Sequence, residues 1–399
     1  MPAALAPPLS LYIHFPWCVR KCPYCDFNSY TLHGELAEDV YVAALKADLE
    51  AQSVDVGGRE VVSIFMGGGT PSLFSPAAIA TVLEAAGKLL RLAPDVEVTM
   101  EANPGTIERG RFNEYRSAGI TRVSLGAQSF DDRQLKALGR IHSSDETRRA
   151  AEELHAAGLR NFNLDLMYAL SGQTVSAALR DLEEALRLKP AHVSHYQLTI
   201  EQGTVFAGTP PADLPDEDIA ADMLAACRER LAVDGFSQYE VSAYALAGRR
   251  CRHNLNYWTF GDYLGVGAGA HGKRTSREPR RPISIVRTLL SREPRRYVAS
   301  PTAITRNAVP SSELPFEFML NALRLVDGFE RSQFSERTGL EWDVIEQRVE
   351  ALAARGLLEI DAAICRASAR GLQVLNGLLL SFLEEIPKTT GSFGLSTVL

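Results

Sequence analysis

The sequence is poor in cysteine, in long apolar runs and in basic charge, and each shortage removes a class of function. Six cysteines in 399 residues, three of them crowded into positions 18–25, are too few and too clustered for a disulfide scaffold. The remaining Cys227, Cys251 and Cys365 stand alone. The longest apolar run, GLLLSFL at 377–383, falls far short of the ~20 residues that span a bilayer. The opening MPAALAPPLSLYIHF carries neither a charged leader nor a cleavable apolar stretch. With 42 basic against 49 acidic side chains, the net charge of -7 gives no basic footprint for nucleic acid. These shortages predict a soluble, cytoplasmic protein without a nucleic-acid partner. A chain of this length, 46% hydrophobic, can bury a large core and holds about two domains at ~150 residues each.

What is present is a regular alternation. β-forming runs at 9–15 (LSLYIHF), 61–66 (VVSIFM), 96–101 (VEVTME), 121–128 (TRVSLGAQ), 161–168 (NFNLDLMY) and 192–199 (HVSHYQLT) leave room for a helix in each gap. Ser75 reads as an N-cap followed by Pro76 at the first helical position, and Gly119 and Gly158 stop helices before the fourth and fifth strands. The pattern predicts an α/β fold with a parallel sheet. A closed or partly open barrel and a doubly wound sheet both satisfy it, and both gather ligands at the carboxyl ends of the strands.

Chemistry-bearing residues collect at those ends. WCVRKCPYCDF (17–27) follows the first strand and GGGTPS (67–72) the second, while Glu101, Gln128 and Asp165 close the third, fourth and fifth. A triple glycine lets backbone approach a ligand and offers N–H donors to a carboxylate or phosphate. Glu101 and Asp165 suit an ammonium group and ribose hydroxyls. Cys18, Cys22 and Cys25 lack a fourth thiolate. Structural zinc takes four protein ligands and would have to recruit His14, whose place inside a strand disfavours it. An iron–sulfur cubane on three thiolates leaves one iron open to a small molecule.

On these residues the chain resembles the radical S-adenosylmethionine (SAM) family. The resemblance implies a partial TIM-like (β/α)6 barrel in which Cys18, Cys22 and Cys25 hold a [4Fe-4S] cluster and SAM chelates the open iron. It implies SAM contacts from Tyr12, Tyr24, Gly68, Gly69 and Thr70, with Glu101, Gln128, Arg140 in GRIH and Asp165 on the same pattern. The likeness covers nearly the whole chain. It runs closest to the branch holding oxygen-independent coproporphyrinogen III dehydrogenases and HemW-type heme chaperones. The dehydrogenases carry a further cysteine two residues past the third, where this chain has Phe27. CRHNLNYW (251–258), with H-N-x-x-Y as His253, Asn254 and Tyr257, and ELPFEFMLNALRLVDGF (313–329) are similar to the chaperones.

The resemblance therefore implies heme as a further ligand and transfer of heme to acceptor proteins. It leaves open a dehydrogenase that uses a SAM-derived radical in porphyrin biosynthesis. A neutral imidazole suits an axial position on heme iron, which makes His253 the candidate ligand and His271 its competitor. A hydrogen-bonded loop pin is the other role for His253. No C-x-x-C-H motif signals a cytochrome-type covalent linkage.

Residues 273–296 hold Lys273 and eight arginines against two glutamates, with SREPRR twice, at 276–281 and 291–296. They read as a solvated connection. Alternatively, the arginines offer a face to porphyrin propionates or to an anionic membrane surface, as a peripheral contact. Beyond residue 300 the pattern turns mainly helical and predicts a winged-helix-like cap over the barrel mouth. The expected division is 1–300 for the core, its H-N-x-x-Y region and the Arg-rich connection, and 301–399 for the helical domain. A final helix over 372–386 is expected to turn Val374, Leu375, Leu378, Leu379, Phe382 and Leu383 toward the core.

Overall fold

The six β-forming runs become six parallel strands laid side by side in sequence order. The computed structural model describes residues 6–105, 110–277, 282–361 and 363–383. The strands are β1 (Leu9–Phe15), β2 (Glu60–Gly68), β3 (Arg91–Ala102), β4 (Arg122–Gln128), β5 (Phe162–Tyr168) and β6 (His192–Gln197). A doubly wound sheet reverses strand order at a switch point. Here the order runs from first to sixth without reversal, as in a barrel, and the sheet stays open.

Parallel strands buried on both faces read as unbroken hydrophobic runs. These alternate instead. Leu9, Leu11, Ile13 and Phe15 of β1 are fully buried in the main apolar core, which also takes Val123, Leu125, Phe162 and Leu164. The intervening positions carry Ser10, Tyr12 and His14, then Arg122, Ser124 and Gln128, then Asn163 and Asp165. Because successive side chains point to opposite faces, one face of the sheet packs the core and the other is a polar inner face.

The helices are set by local signals. Ser75 accepts from the Ala78 N–H and caps Pro76–Leu89, while Gly119 and Gly158 take positive φ angles just before β4 and β5. Ser143 and Glu146 form a capping box that starts Ser144–Ala156 directly behind the GRIH segment.

The region after residue 236 departs from expectation. Short antiparallel strands β7 (Ser237–Glu240) and β8 (Ala243–Ala245) close one edge. At the other edge β9 (Asp262–Val266) pairs parallel to β1, followed by antiparallel β10 (His271–Ser276), β11 (Ser284–Leu289) and β12 (Thr305–Ala308). Much of the Arg-rich stretch is therefore sheet, not solvated connection; residues 278–281 lie outside the described residues. Lys273 is 1% exposed, bonds Asp262 at 3.0 Å and sits 4.1 Å over the Phe260 ring. Burial lowers its pKa to about 8 against the pull of Asp262.

The C-terminal unit has its own apolar cluster, including Phe318, Phe334, Ile345 and Leu352, which reaches Phe260 and Ile285 of the sheet region. Helices Arg331–Thr338 and Asp343–Ala354 lead into a hairpin of Leu358–Ile360 with Ile364–Ala367, a winged-helix-like arrangement. The last predicted helix is broken at Val374 into Ala369–Gln373 and Leu375–Leu379. Leu375, Leu378, Leu379 and Phe382 are buried as expected, but Val374 and Leu383 are 47% and 40% exposed. Residues 384–386 lie outside the described residues. No described helix is long and apolar enough to cross a membrane.

Candidate cofactor and ligand site

The cysteine loop is tied to the strand ends by a ring of polar contacts. Trp17–Cys18 pairs with Tyr30–Thr31, and the Cys25 N–H donates to the Cys22 carbonyl at 3.1 Å. Polar groups face every thiol: Thr70 and Ser29 for Cys18, Arg140 at 3.6 Å and Tyr24 for Cys22, and Ser29 at 3.7 Å for Cys25. Asn103 links two of these, donating to Thr70 Oγ1 at 2.9 Å and accepting from Arg140. Burial raises the Cys18 and Cys25 pKa values.

No three described His, Cys, Asp or Glu side chains are grouped around a single metal ion. The three thiols nonetheless feel one another electrostatically. A cubane takes its thiolates on separate irons and needs no single point of convergence. His14 is not free to complete a zinc site: Nδ1 lies 3.0 Å from the Tyr12 hydroxyl and Nε2 3.0 Å from the Asn28 carbonyl.

The glycine loop differs from the expected anion nest. Gly68 N–H donates to Glu101 at 3.1 Å, Gly69 N–H to the Phe15 carbonyl at 2.7 Å and Thr70 N–H to the Trp17 carbonyl at 2.7 Å. All three donors are committed inside the protein. The lack of a side chain at Gly67 matters because a Cβ there would lie 2.9 Å from the Glu101 carboxylate. Gly126 makes the same room in β4, where a Cβ would lie 3.1 Å from Arg140. Arg140 donates there to the Gly126 carbonyl at 2.7 Å.

Three further strand-end groups face the same space. Burial pushes the Glu101 pKa up to about 8, helped by the negative charge of Asp165 and opposed by the Gly68 N–H. Burial likewise raises Asp165, which accepts from Asn163 at 2.7 Å and Ser124 at 3.1 Å. Gln128 has a φ of 67°, a conformation that costs energy in a non-glycine residue, and accepts from the Tyr196 hydroxyl at 2.7 Å. Tyr24 is bonded to Cys22 and lies near Arg140. Tyr12 and Glu101 interact, as do Tyr196 and Asp165.

Thus Tyr12, Tyr24, Gly68, Gly69, Thr70, Glu101, Gln128, Arg140 and Asp165 form one neighbourhood with the cysteines. His253 sits deeper, toward the amino ends of the strands. Its helix, Arg252–Trp258, is anchored by the Arg252 N–H on Glu97 at 2.9 Å. Its Nδ1 lies 3.3 Å from Ser63 Oγ, and its ring stacks on Phe65 at 4.9 Å and lies 6.3 Å from Tyr12. Burial, reinforced by Arg122, lowers its pKa to about 3, so the imidazole is neutral. His271 is exposed at the start of β10. Sequence reasoning missed Asn103, Ser124, Asn163 and Tyr196, although the alternation of polar residues along β4 and β5 carried the signal for two of them.

The Radical SAM superfamily profile matches residues 12–188 and the HemN C-terminal domain profile matches residues 309–374. Over 379 residues the chain is 48% identical to heme chaperone HemW of Escherichia coli (strain K12), covering 95% of this chain and 99% of that one. The chain belongs to the radical SAM superfamily, in its HemW branch. Heme chaperone HemW of Haemophilus influenzae is 44% identical over 95% of this chain and 99% of its own. Radical S-adenosyl methionine domain-containing protein 1, mitochondrial, of Bos taurus is 40% identical over 94% and 88%. Coproporphyrinogen III oxidase (HemN) from Escherichia coli, a solved structure, is similar with a TM-score of 0.79 at 21% identity, over 94% and 90% of the two chains. That likeness shows a shared fold. The family implies an iron–sulfur cluster and SAM, and the HemW name adds heme.

Proposed function

We propose that this protein binds heme and passes it to acceptor proteins in the cytoplasm, carrying a [4Fe-4S] cluster on Cys18, Cys22 and Cys25 with SAM at the open iron. The observation that carries this reading is the 48% identity to HemW across nearly both full chains. Phe27, half exposed beside the cysteines, stands where the dehydrogenases have a further cysteine.

The donor set fits these groups. Arg140 and Thr70 hold two thiols in place through Asn103, and Ser29 faces the third. With their N–H groups committed, Gly68 and Gly69 have only their carbonyls left to offer an ammonium group, and Arg140 suits a carboxylate. Asp165, oriented by Asn163 and Ser124, suits ribose hydroxyls. Tyr12, Tyr24, Thr70, Glu101 and Gln128 complete the SAM wall. When bound, the cluster and SAM supply one-electron chemistry at the open iron. His253 keeps a neutral imidazole for heme iron, its Nδ1 oriented by Ser63. The division into 1–300 and 301–399 belongs to the same reading.

The test is the anaerobically reconstituted full chain, scored for heme binding, for delivery of heme to an apo heme protein and for conversion of coproporphyrinogen III. We expect binding and delivery without conversion. His253→Ala should shift or erase the Soret band while cluster and SAM binding persist, and His271→Ala should not. Catalytic conversion of coproporphyrinogen III would overturn the chaperone reading, and an unaltered spectrum in His253→Ala would return that histidine to a packing role.

A further inference from the structure

The inner face of the sheet changes character across its width. The β3–β6 half carries Glu101, Gln128, Asp165 and Tyr196, all hydrogen-bonding groups. The other half carries rings. Tyr12 of β1 and Phe65 of β2 are register partners with centroids 6.4 Å apart, nearly parallel at 21°. Phe65 stacks on His253 at 4.9 Å, His253 meets Tyr257 at 4.9 Å, and Tyr257 stacks on Tyr263 of β9 at 4.2 Å. The five rings form one continuous run from β2 and β1 to β9, with three more strands beyond it before the sheet edge.

At the end of this run lies an arginine. Tyr263 pairs with Lys273 and Lys273 with Arg287 across the antiparallel strands, so the three side chains share the inner face. Arg287 donates to the Tyr263 hydroxyl at 2.7 Å and to Glu317 of the helix Leu314–Ala322. Those contacts engage two of its five N–H donors, and the side chain as a whole remains 26% exposed. Two other charges of the segment are differently employed: Lys273 is buried on Asp262 and Arg274 pairs with Asp55. His271 shares the face of Arg287. Partial desolvation of its ring, and then the charges of Arg287 and Arg292, hold its pKa down.

We propose that this half of the inner face is the heme seat, with the macrocycle against the run from Tyr12 to Tyr263 and a heme carboxylate on Arg287, in competition with Glu317. The proposal rests on the heme reading above and adds residues that neither the H-N-x-x-Y motif nor the strand-end pattern marks. An apolar planar ligand gains from stacked rings, and a carboxylate from a guanidinium fork.

The experiment compares heme with heme dimethyl ester, which keeps the ring and iron but has no free carboxylate, by absorbance titration of the full chain. The wild type should prefer heme. Arg287→Gln should weaken heme about tenfold or more and leave the ester unchanged, removing the preference. Glu317→Gln should tighten heme, whereas a purely structural ion pair would make both variants bind equally or worse. SAM binding in each variant reports that the barrel is intact. Equal binding of heme and ester by the wild type, or an Arg287→Gln loss shared by the ester, would overturn the subsite alone. Failure of the wild type to bind either compound would overturn the chaperone reading with it.

Discussion

Glu101 gives the sharpest quantitative expectation. Its carboxyl is held protonated to about pH 8 by burial and by Asp165, against 4.5 for an ordinary glutamate. Between those values the ligand-free folded protein binds more protons than the unfolded chain, so this group's contribution to stability falls as pH rises through the window. Ionising Glu101 at pH 7, one unit below its pKa, costs roughly 1.4 kcal/mol. A cationic ligand end placed against it recovers that cost and expels the proton. SAM affinity should therefore rise with pH up to about 8 and level off above. One proton released per ligand sets a ceiling of about tenfold per pH unit, and the slope falls below it as pH approaches the pKa. Calorimetric SAM titrations at several pH values, in buffers of different ionisation enthalpy, measure both slope and proton count. Glu101→Gln should remove this component, and the difference between the two proteins cancels other proton-linked groups, including the amine of SAM. Equal slopes in wild type and variant would refute the placement of Glu101 against positive charge.

Alanine at Cys18, Cys22 or Cys25 should abolish the visible absorbance of the cluster, while alanine at buried Cys227, Cys251 or Cys365 should preserve it; loss in any of the latter three would break the ligand assignment. Asp165→Ala should weaken SAM binding by roughly 1.5–3 kcal/mol, about 10- to 150-fold, with the cluster retained, and an unchanged dissociation constant would remove Asp165 from the site. Lys273→Ala leaves Asp262 buried with Arg59 and Thr275 as its remaining partners. It should cost about 3 kcal/mol in chemical denaturation, the lower end for breaking a buried pair, and a loss near zero would show that the pair is dispensable.

The six parallel strands and the residues at their ends were legible in the sequence because both are local signals. A period-two pattern, a Ser-Pro helix start and a glycine stop need only neighbouring residues to act. The three-cysteine loop, GGGTPS, Glu101, Gln128 and Asp165 could be placed at one end of the sheet for the same reason: each directly follows or closes a strand. Only the tertiary structure decided the rest. The Arg-rich stretch looked solvated because, although β10 pairs with its neighbours β9 and β11, the sheet onto which they add is remote. Lys273 is buried by Asp262 and Phe260, and β9, which leads into it, lies against β1 about 250 residues earlier in the chain. The glycine loop looked like an anion nest until Glu101 and the carbonyls of Phe15 and Trp17 claimed its donors. Asn103 had no strand-end signature of its own, yet it joins Thr70 to Arg140. The depth of His253 beneath Tyr12 follows from its helix closing over Glu97 and Ser63, contacts that no local pattern encodes.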